Sequence, residues 1–380
     1  MGFPEGKLKD LLIACARAVE DDKDRDGIDV MVVELRRMVS KSGDPFERLG
    51  AYMLEALVAR MDSSGLSVYK DLKAEEEAKP SDLMSYMHLL YEVCPQFIFA
   101  RMSANGAIAE AVKGQATVHI IDFNISDGSQ WVTLLQALGA RPGGAPSIRI
   151  TGISDTVAAR SRNSKLELTE RRLSYLAERL NVPFEFHAVA ISGDQVEEGH
   201  LAVIPRPGGS GEQEEKETVV VNFPMVLDKN RDRILKLVKS LSPRVLTLVE
   251  PECNTNSANF FHRFVETLDY HAAVFESMDV AFPRKGETRM NMEQHFLWRQ
   301  IVNIVACEGS DRVERHEHFV QWKARLLMAG FTPHPLSSIV NNTIRTLLQS
   351  YHSSYRVDER DEVLYLGWKD RTMVVTSAWH

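Results

Sequence analysis

Hydrophobic positions follow two regimes along the chain. Up to about residue 100 they recur at helical spacing. Leu11-Leu12-Ile13-Ala14-Cys15-Ala16-Arg17-Ala18-Val19 opens one helix, and Val33, Leu35 and Met38 mark a second within residues 30–39. Pro45 stands at the head of a third run, with Leu49, Met53, Leu54, Leu57 and Met61 near helical spacing. Residues 70–79 are charged and read as a solvated stretch. Ser81 then caps a helix over residues 81–92. No strand pattern occurs here, and an all-helical unit of this kind must pack on something else.

From Thr117 the regime changes. Val118-His119-Ile120-Ile121-Asp122 is short and almost wholly apolar, as a buried parallel strand should be. Strands follow at residues 147–153, 184–189, 219–223 and 245–250, separated by helices over residues 129–140, 166–180 and 229–241. Residues 205–217 are rich in Gly, Pro and Glu and read as a surface loop. Long helices cover residues 257–278 and 287–306, another ends near Ala329, and last strands are expected at 331–336, 363–368 and 373–377. Such alternation predicts an α/β fold with a doubly wound, mostly parallel sheet and right-handed crossovers. The late strands fit the methyltransferase-type variant of a Rossmann-like fold. Residues 1–100 are expected to form a helical cap subdomain, joined by helices from later insertions, on a core of residues 101–380, the two making one domain.

Bulk properties narrow the chemistry. The 380 residues are 44% hydrophobic and 26% charged, ordinary for a globular chain. No apolar run is long enough to span a membrane, and Met1-Gly2-Phe3-Pro4 lacks a signal peptide's regions, so the start reads as a domain boundary. Cys15, Cys94, Cys253 and Cys307 form no C-x-x-C pair and read as reduced core thiols of a reducing compartment. A net charge of −8 counts against a protein that coats nucleic acid, while leaving room for a segregated basic surface.

The segment Asp122-Phe123-Asn124-Ile125-Ser126-Asp127-Gly128 sits where methyltransferases carry D-x-G-x-G-x-G. Asn124 and Ser126 replace the first two glycines, and only Gly128 remains. Those glycines let the backbone approach a ligand at positive φ, so no cofactor is expected. Asp155 lies where a ribose-binding acid would sit, and its structural reading is preferred. Asn222, before Phe223-Pro224-Met225, reads as a turn or cap residue. Glu314-Arg315-His316-Glu317-His318 reads as a charged helix surface; residues two apart share no helix face, so no metal is expected. Nucleophile-elbow and P-loop patterns are missing. Clustered cations offer a phosphate-contacting surface: Arg160, Arg162, Lys165, Arg171 and Arg172; Lys229, Arg231, Arg233, Lys236 and Lys239; and Arg284 with Lys285. Trp368 and Trp379 read as packing anchors.

These residues match, in order, the motifs of a known family. Val118-His119-Ile120-Ile121-Asp122 resembles the VHIID motif of GRAS proteins, with Ser103-Ala104-Asn105-Gly106 before it and Gly128-Ser129-Gln130-Trp131 after it. Arg263-Phe264-Val265-Glu266 and Ala273-Val274-Phe275-Glu276-Ser277 look like its PFYRE region. Arg312-Val313-Glu314-Arg315-His316-Glu317, Leu366-Gly367-Trp368 and Ser377-Ala378-Trp379 look like its SAW region. The text is most similar to the Scarecrow-like branch of this plant family, and the segment naming its gibberellin-degraded repressors is missing. The resemblance implies a non-enzymatic transcriptional regulator of the nucleus. It also implies a homodimer or GRAS heterodimer, contact with double-stranded DNA directly or through zinc-finger transcription factors, and no membrane association.

Overall fold

The computed structural model describes residues 5–22, 25–78, 80–154, 165–201, 217–224, 230–283 and 286–380. Five parallel strands form its centre: β1 (Thr117–Asp122), β2 (Ser147–Ile153), β3 (Phe184–Val189), β4 (Thr218–Pro224) and β5 (Val245–Pro251). Four more follow: β6 (Pro333–His334), β7 (Tyr355–Arg360), β8 (Val363–Trp368) and β9 (Arg371–Trp379). The order is β3-β2-β1-β4-β5-β9-β8-β7, with β6 pairing on β9. β9 runs antiparallel to both β5 and β8. Val-, Ile- and Leu-rich strands such as β5, buried at all seven positions, are what a sheet covered on both faces requires. Strand order reverses between β1 and β4, which opens a crevice at their carboxyl ends.

The helices are α1 (Glu5–Glu20), α2 (Arg25–Met38), α3 (Pro45–Met61), α4 (Gly65–Ala78), α5 (Pro80–Val93), α6 (Pro95–Ala111) and α7 (Ser129–Gly139). They continue with α8 (Lys165–Arg179), α9 (Arg231–Ser240), α10 (Phe260–Ala281), α11 (Glu287–Met292), α12 (Trp298–Ala306), α13 (Phe319–Met328) and α14 (Ser338–Leu348). One sheet face packs against α6, α7, α8 and α14 through residues such as Ile108, Trp131, Leu173 and Ile344. The other packs against α9 and α13 through Ile234, Leu235, Trp322 and Leu326. A third apolar cluster joins α1 to α4 with α10 and α12, through Leu12, Leu35, Leu57, Leu72, Phe264 and Ile301. Within it α3 is started by a capping box: Asp44 accepts from the Phe46 and Glu47 amides, and Glu47 accepts from the Asp44 amide.

Fully buried Arg48 ties this helical unit together, at 2.9 Å from Asp279 and 3.0 Å from Glu293. Glu293 lies in a five-residue π turn, Glu293–Leu297, that joins α11 to α12. α6 crosses position 100 and lies on the sheet against β5 and β9.

Some elements differ from the sequence reading. Residues 70–78 belong to α4, whose Leu72 is buried in the helical unit. α6 spreads Gln96, Arg101, Ser103, Asn105 and Glu110 around its circumference, with Gln96 and Ser103 buried, so it lacks the one-sided period that marks a surface helix. β7 is a charged edge strand, Tyr-Arg-Val-Asp-Glu-Arg, with little apolar alternation. The strand expected at 331–336 shrinks to β6. Among the described residues no helix is long and apolar enough to cross a membrane.

Candidate functional site

The crevice at the end of β1 is where a ligand of this fold class would enter, and this chain fills it from within. Asp122 is 1% exposed and spent on internal bonds. The Asn124 amide donates to its Oδ1 at 3.0 Å, and the Trp131 Nε1–H donates to its Oδ2 at 2.7 Å. Burial pushes the Asp122 carboxyl up to about 7, against the hydrogen bonds from Asn124, Trp131 and Asn222. The backbone turns through Ser126, at φ 50°, and Gly128, at φ 70°. A Cβ on Gly128 would stand 2.7 Å from Thr169 Cγ2, so the one glycine kept is the one the packing demands.

Gly128 also begins α7, whose amino terminus would attract an anion. A carboxylate of the chain already sits there. Asp127, 1% exposed, accepts from the Ser129 amide at 3.1 Å and from the Ser129 hydroxyl, and Arg172 stands over it at 3.4 Å.

Neighbouring amides close the rest. Asn105 Nδ2 donates to the Gln130 carbonyl at 2.8 Å, Gln130 Nε2 donates to Asn105 Oδ1, and Asn222 Nδ2 donates to Gln130 Oε1 at 3.2 Å. Thr247 Oγ1 then donates to Asn222 Oδ1 at 2.8 Å. Asn222 is therefore not a turn or cap residue. It is a fully buried position of β4, bridging α7 and β5. Among the described residues, a cavity of about 90 Å³ is found here, bordered by Phe97, Arg101, Asn124, Gln130 and Pro224. Pockets for small molecules run to roughly 300–1,000 Å³. These residues do not fit an adenosyl ligand.

The Glu314–His318 segment is not a helix surface. It is irregular chain leading into α13, with His316 7% and Glu317 4% exposed. Asn303 on α12 holds it by accepting from the Val313 and Glu314 amides at 2.8 and 2.9 Å. His316 lies between Glu250, at 3.8 Å, and Glu314, at 3.6 Å. Burial acts to lower its imidazole, but the two carboxylates outweigh that and raise it to about 10. Glu317 receives Arg231, Arg325 and Asn256. No cluster of potential metal ligands occurs among the described residues. The segment is an ionic seam joining β5 to α12, α9 and α13.

The basic residues divide. Arg160, Arg162, Lys229, Arg284 and Lys285, like Asp155, lie outside the described residues. Lys165, Arg171 and Arg172 are on α8; Arg231, Arg233, Lys236 and Lys239 are on α9. The two helices cover opposite faces of the sheet. Arg231 is turned inward, 6% exposed, paired with Glu317 and stacked over Trp322 at 5.3 Å, so it is a core cation. Arg171 pairs with Glu167 on its own helix. Arg233 donates to the Asp194 and Val196 carbonyls, while Lys236 is exposed. Trp368 and Trp379 are 3% and 1% exposed.

Comparison with known proteins places these features. The model of the GRAS domain family matches residues 8–380. The chain is 60% identical to chitin-inducible gibberellin-responsive protein 2 of Oryza sativa subsp. japonica over 390 residues, covering all of this chain and 70% of that protein. It is 53% identical to Scarecrow-like transcription factor PAT1 of Arabidopsis thaliana over 378 residues, 97% of this chain and 75% of that one. The solved structure of SCL7 from Oryza sativa superposes with a TM-score of 0.79 at 33% identity, covering 98% of this chain and 99% of that chain.

Proposed function

The chain belongs to the GRAS domain family, and on that premise we propose that it is a non-catalytic regulator of transcription in the nucleus. It acts by gripping macromolecules. The observation that carries this reading is the β1 crevice, where Asp122 is bonded to Trp131, Asp127 to Ser129, and Asn222 to Gln130, in the space a cofactor would need. Support also comes from the 53% identity to a protein named as a transcription factor. Partners in this reading are a second copy or another GRAS protein, zinc-finger factors and double-stranded DNA.

The division of the cations sharpens the DNA part. α8 and α9 back onto opposite sheet faces, so one duplex on one copy engages one group at a time. Phosphate contact from Lys165 and Arg171, or from Arg233 and Lys236, would supply affinity without reading sequence. A DNA-selection assay across a salt series tests this, read beside the oligomeric state. Charge reversal of the group that meets DNA should flatten the salt dependence by about 0.9 for each phosphate no longer neutralised. Unchanged slopes in both charge-reversed variants would favour recruitment by DNA-bound partners instead. Calorimetry with S-adenosylmethionine should register no binding, and a submicromolar affinity would defeat the non-catalytic reading.

A further inference from the structure

Helix α13 is apolar on two sides. Phe319, Trp322 and Leu326 are buried against the sheet. Away from it, Val320 is 68% exposed, Leu327 49% and Met328 73%, with exposed Ala324 between them. Spacing of i, i+4, i+7 and i+8 lines these four along one stripe two turns long. Isolated surface hydrophobes need no explanation, but a continuous row is the mark of a docking face.

Charge borders the stripe unevenly. α9 runs beside α13, fixed by Asp232 on Arg325 at 2.7 Å. Asp232, Lys236 and Lys239 recur at i, i+4 and i+7, so they form the row of α9 that edges α13. Lys239 reaches the ring of Phe331 at 4.6 Å, just past the end of α13. On the other flank Lys323 pairs with Asp361 at 3.3 Å. Both neighbouring carboxylates thus already have cations, while Lys236 and Lys239 form no ion pair among the described residues.

We propose that the outer face of α13, with Lys236 and Lys239 beside it, docks an amphipathic helix of a protein partner. That helix presents apolar side chains at i, i+4 and i+7 and carries carboxylates along one edge. The apolar row sets the mode, since helices are recognised by such anchors. The lysine row sets the sign of the partner's border. A phosphate backbone would leave Val320, Leu327 and Met328 without a role. Lys236 is shared with one of the two cation groups offered for DNA, so the apolar row is what separates the two readings.

A displayed library of helical peptides, with three fixed leucines at i, i+4 and i+7 and randomised flanks, tests it. The library is selected on the parent chain and counter-selected on Leu327→Asp/Met328→Asp. Enriched peptides should carry Asp or Glu beside the leucines, bind the double variant at least about tenfold more weakly, and weaken again with Lys236→Glu. Val320→Asp, at the far end of the stripe, should weaken them as well. Melting curves of these exposed-site variants should match the parent, and DNA retention by the uncharged Leu327→Ser/Met328→Ser variant should be unchanged while its peptide binding falls. No enrichment over the counter-selection, neutral or basic flanks, or a fall in DNA retention by the uncharged variant would overturn the proposal. So would a loss of self-association in Leu327→Asp/Met328→Asp by sedimentation, which would assign the stripe to a second copy.

Discussion

Single residues in the β1 crevice carry the clearest physical consequences. Asp122 is a buried acid raised to about 7. An acid whose folded value exceeds its unfolded one stabilises the fold while protonated, and that contribution is lost as pH climbs from about 4 through about 7. Asp122→Asn keeps an acceptor for Trp131 but turns an amide N–H toward the Asn124 amide, at a cost of about 1–3 kcal/mol. The penalty should therefore be larger at pH 5 than at pH 8, as measured by urea unfolding. An equal penalty at both would show that Asp122 does not titrate there. Gly128→Ala faces both a positive φ and Thr169 at 2.7 Å, and should lose roughly 2 kcal/mol or more by the same assay. The replaced glycines and the retained Gly128 were legible in the sequence, because a backbone rule applies to each position alone. The partners were not. Asn222 reads as a turn former by its local preference, and only the β4 register brings it to Gln130 and Thr247.

At the scale of elements, the ionic seam around residues 312–318 is what local reading missed. Charge density suggests a solvated helix, yet Asn303 and Thr255 pin the segment as irregular chain with Arg312, His316 and Glu317 buried. A charged residue reveals its burial only through cations supplied from distant elements, here Arg231 of α9 and Arg325 of α13 for Glu317. His316→Ala would strand Glu250 and Glu314 together. Removing one member of a buried ionic cluster costs about 3–5 kcal/mol. The sign with pH is fixed by a raised histidine: its contribution is complete below about 6.5 and fades as pH rises through about 10. Thermal unfolding should thus separate His316→Ala from the parent strongly at pH 6.5 and less at pH 9.5. Long periodic helices such as α3 and α10 were legible from their spacing. α6, with polar residues on every side, and β7, mostly charged, carry no clear period to read.

The whole molecule joins a helical unit to a sheet through long helices that serve both. α10 places Phe264 in the helical cluster and Val274 in the sheet's core. Trp379 closes the opposite face of the sheet at the last position of β9, beside Phe319. Trp379→Ala should lower stability by about 3–5 kcal/mol, seen as a shifted denaturation midpoint. Unchanged melting with lost partner binding would reassign it to a surface role. The order of motifs along the chain was enough to name the architecture. The placement of the basic helices on opposite faces followed only from the crossovers.

That architecture bears on how the domain is made. β9 is translated after every other strand, yet it sits between β5 and β8. Until it emerges from the ribosome, two hydrophobic strands wait with bare edges, the condition in which nascent chains stick to one another. A premature stop ahead of β9 would sever the sheet in two, so messages truncated there should yield chaperone-bound or degraded product rather than a shortened regulator.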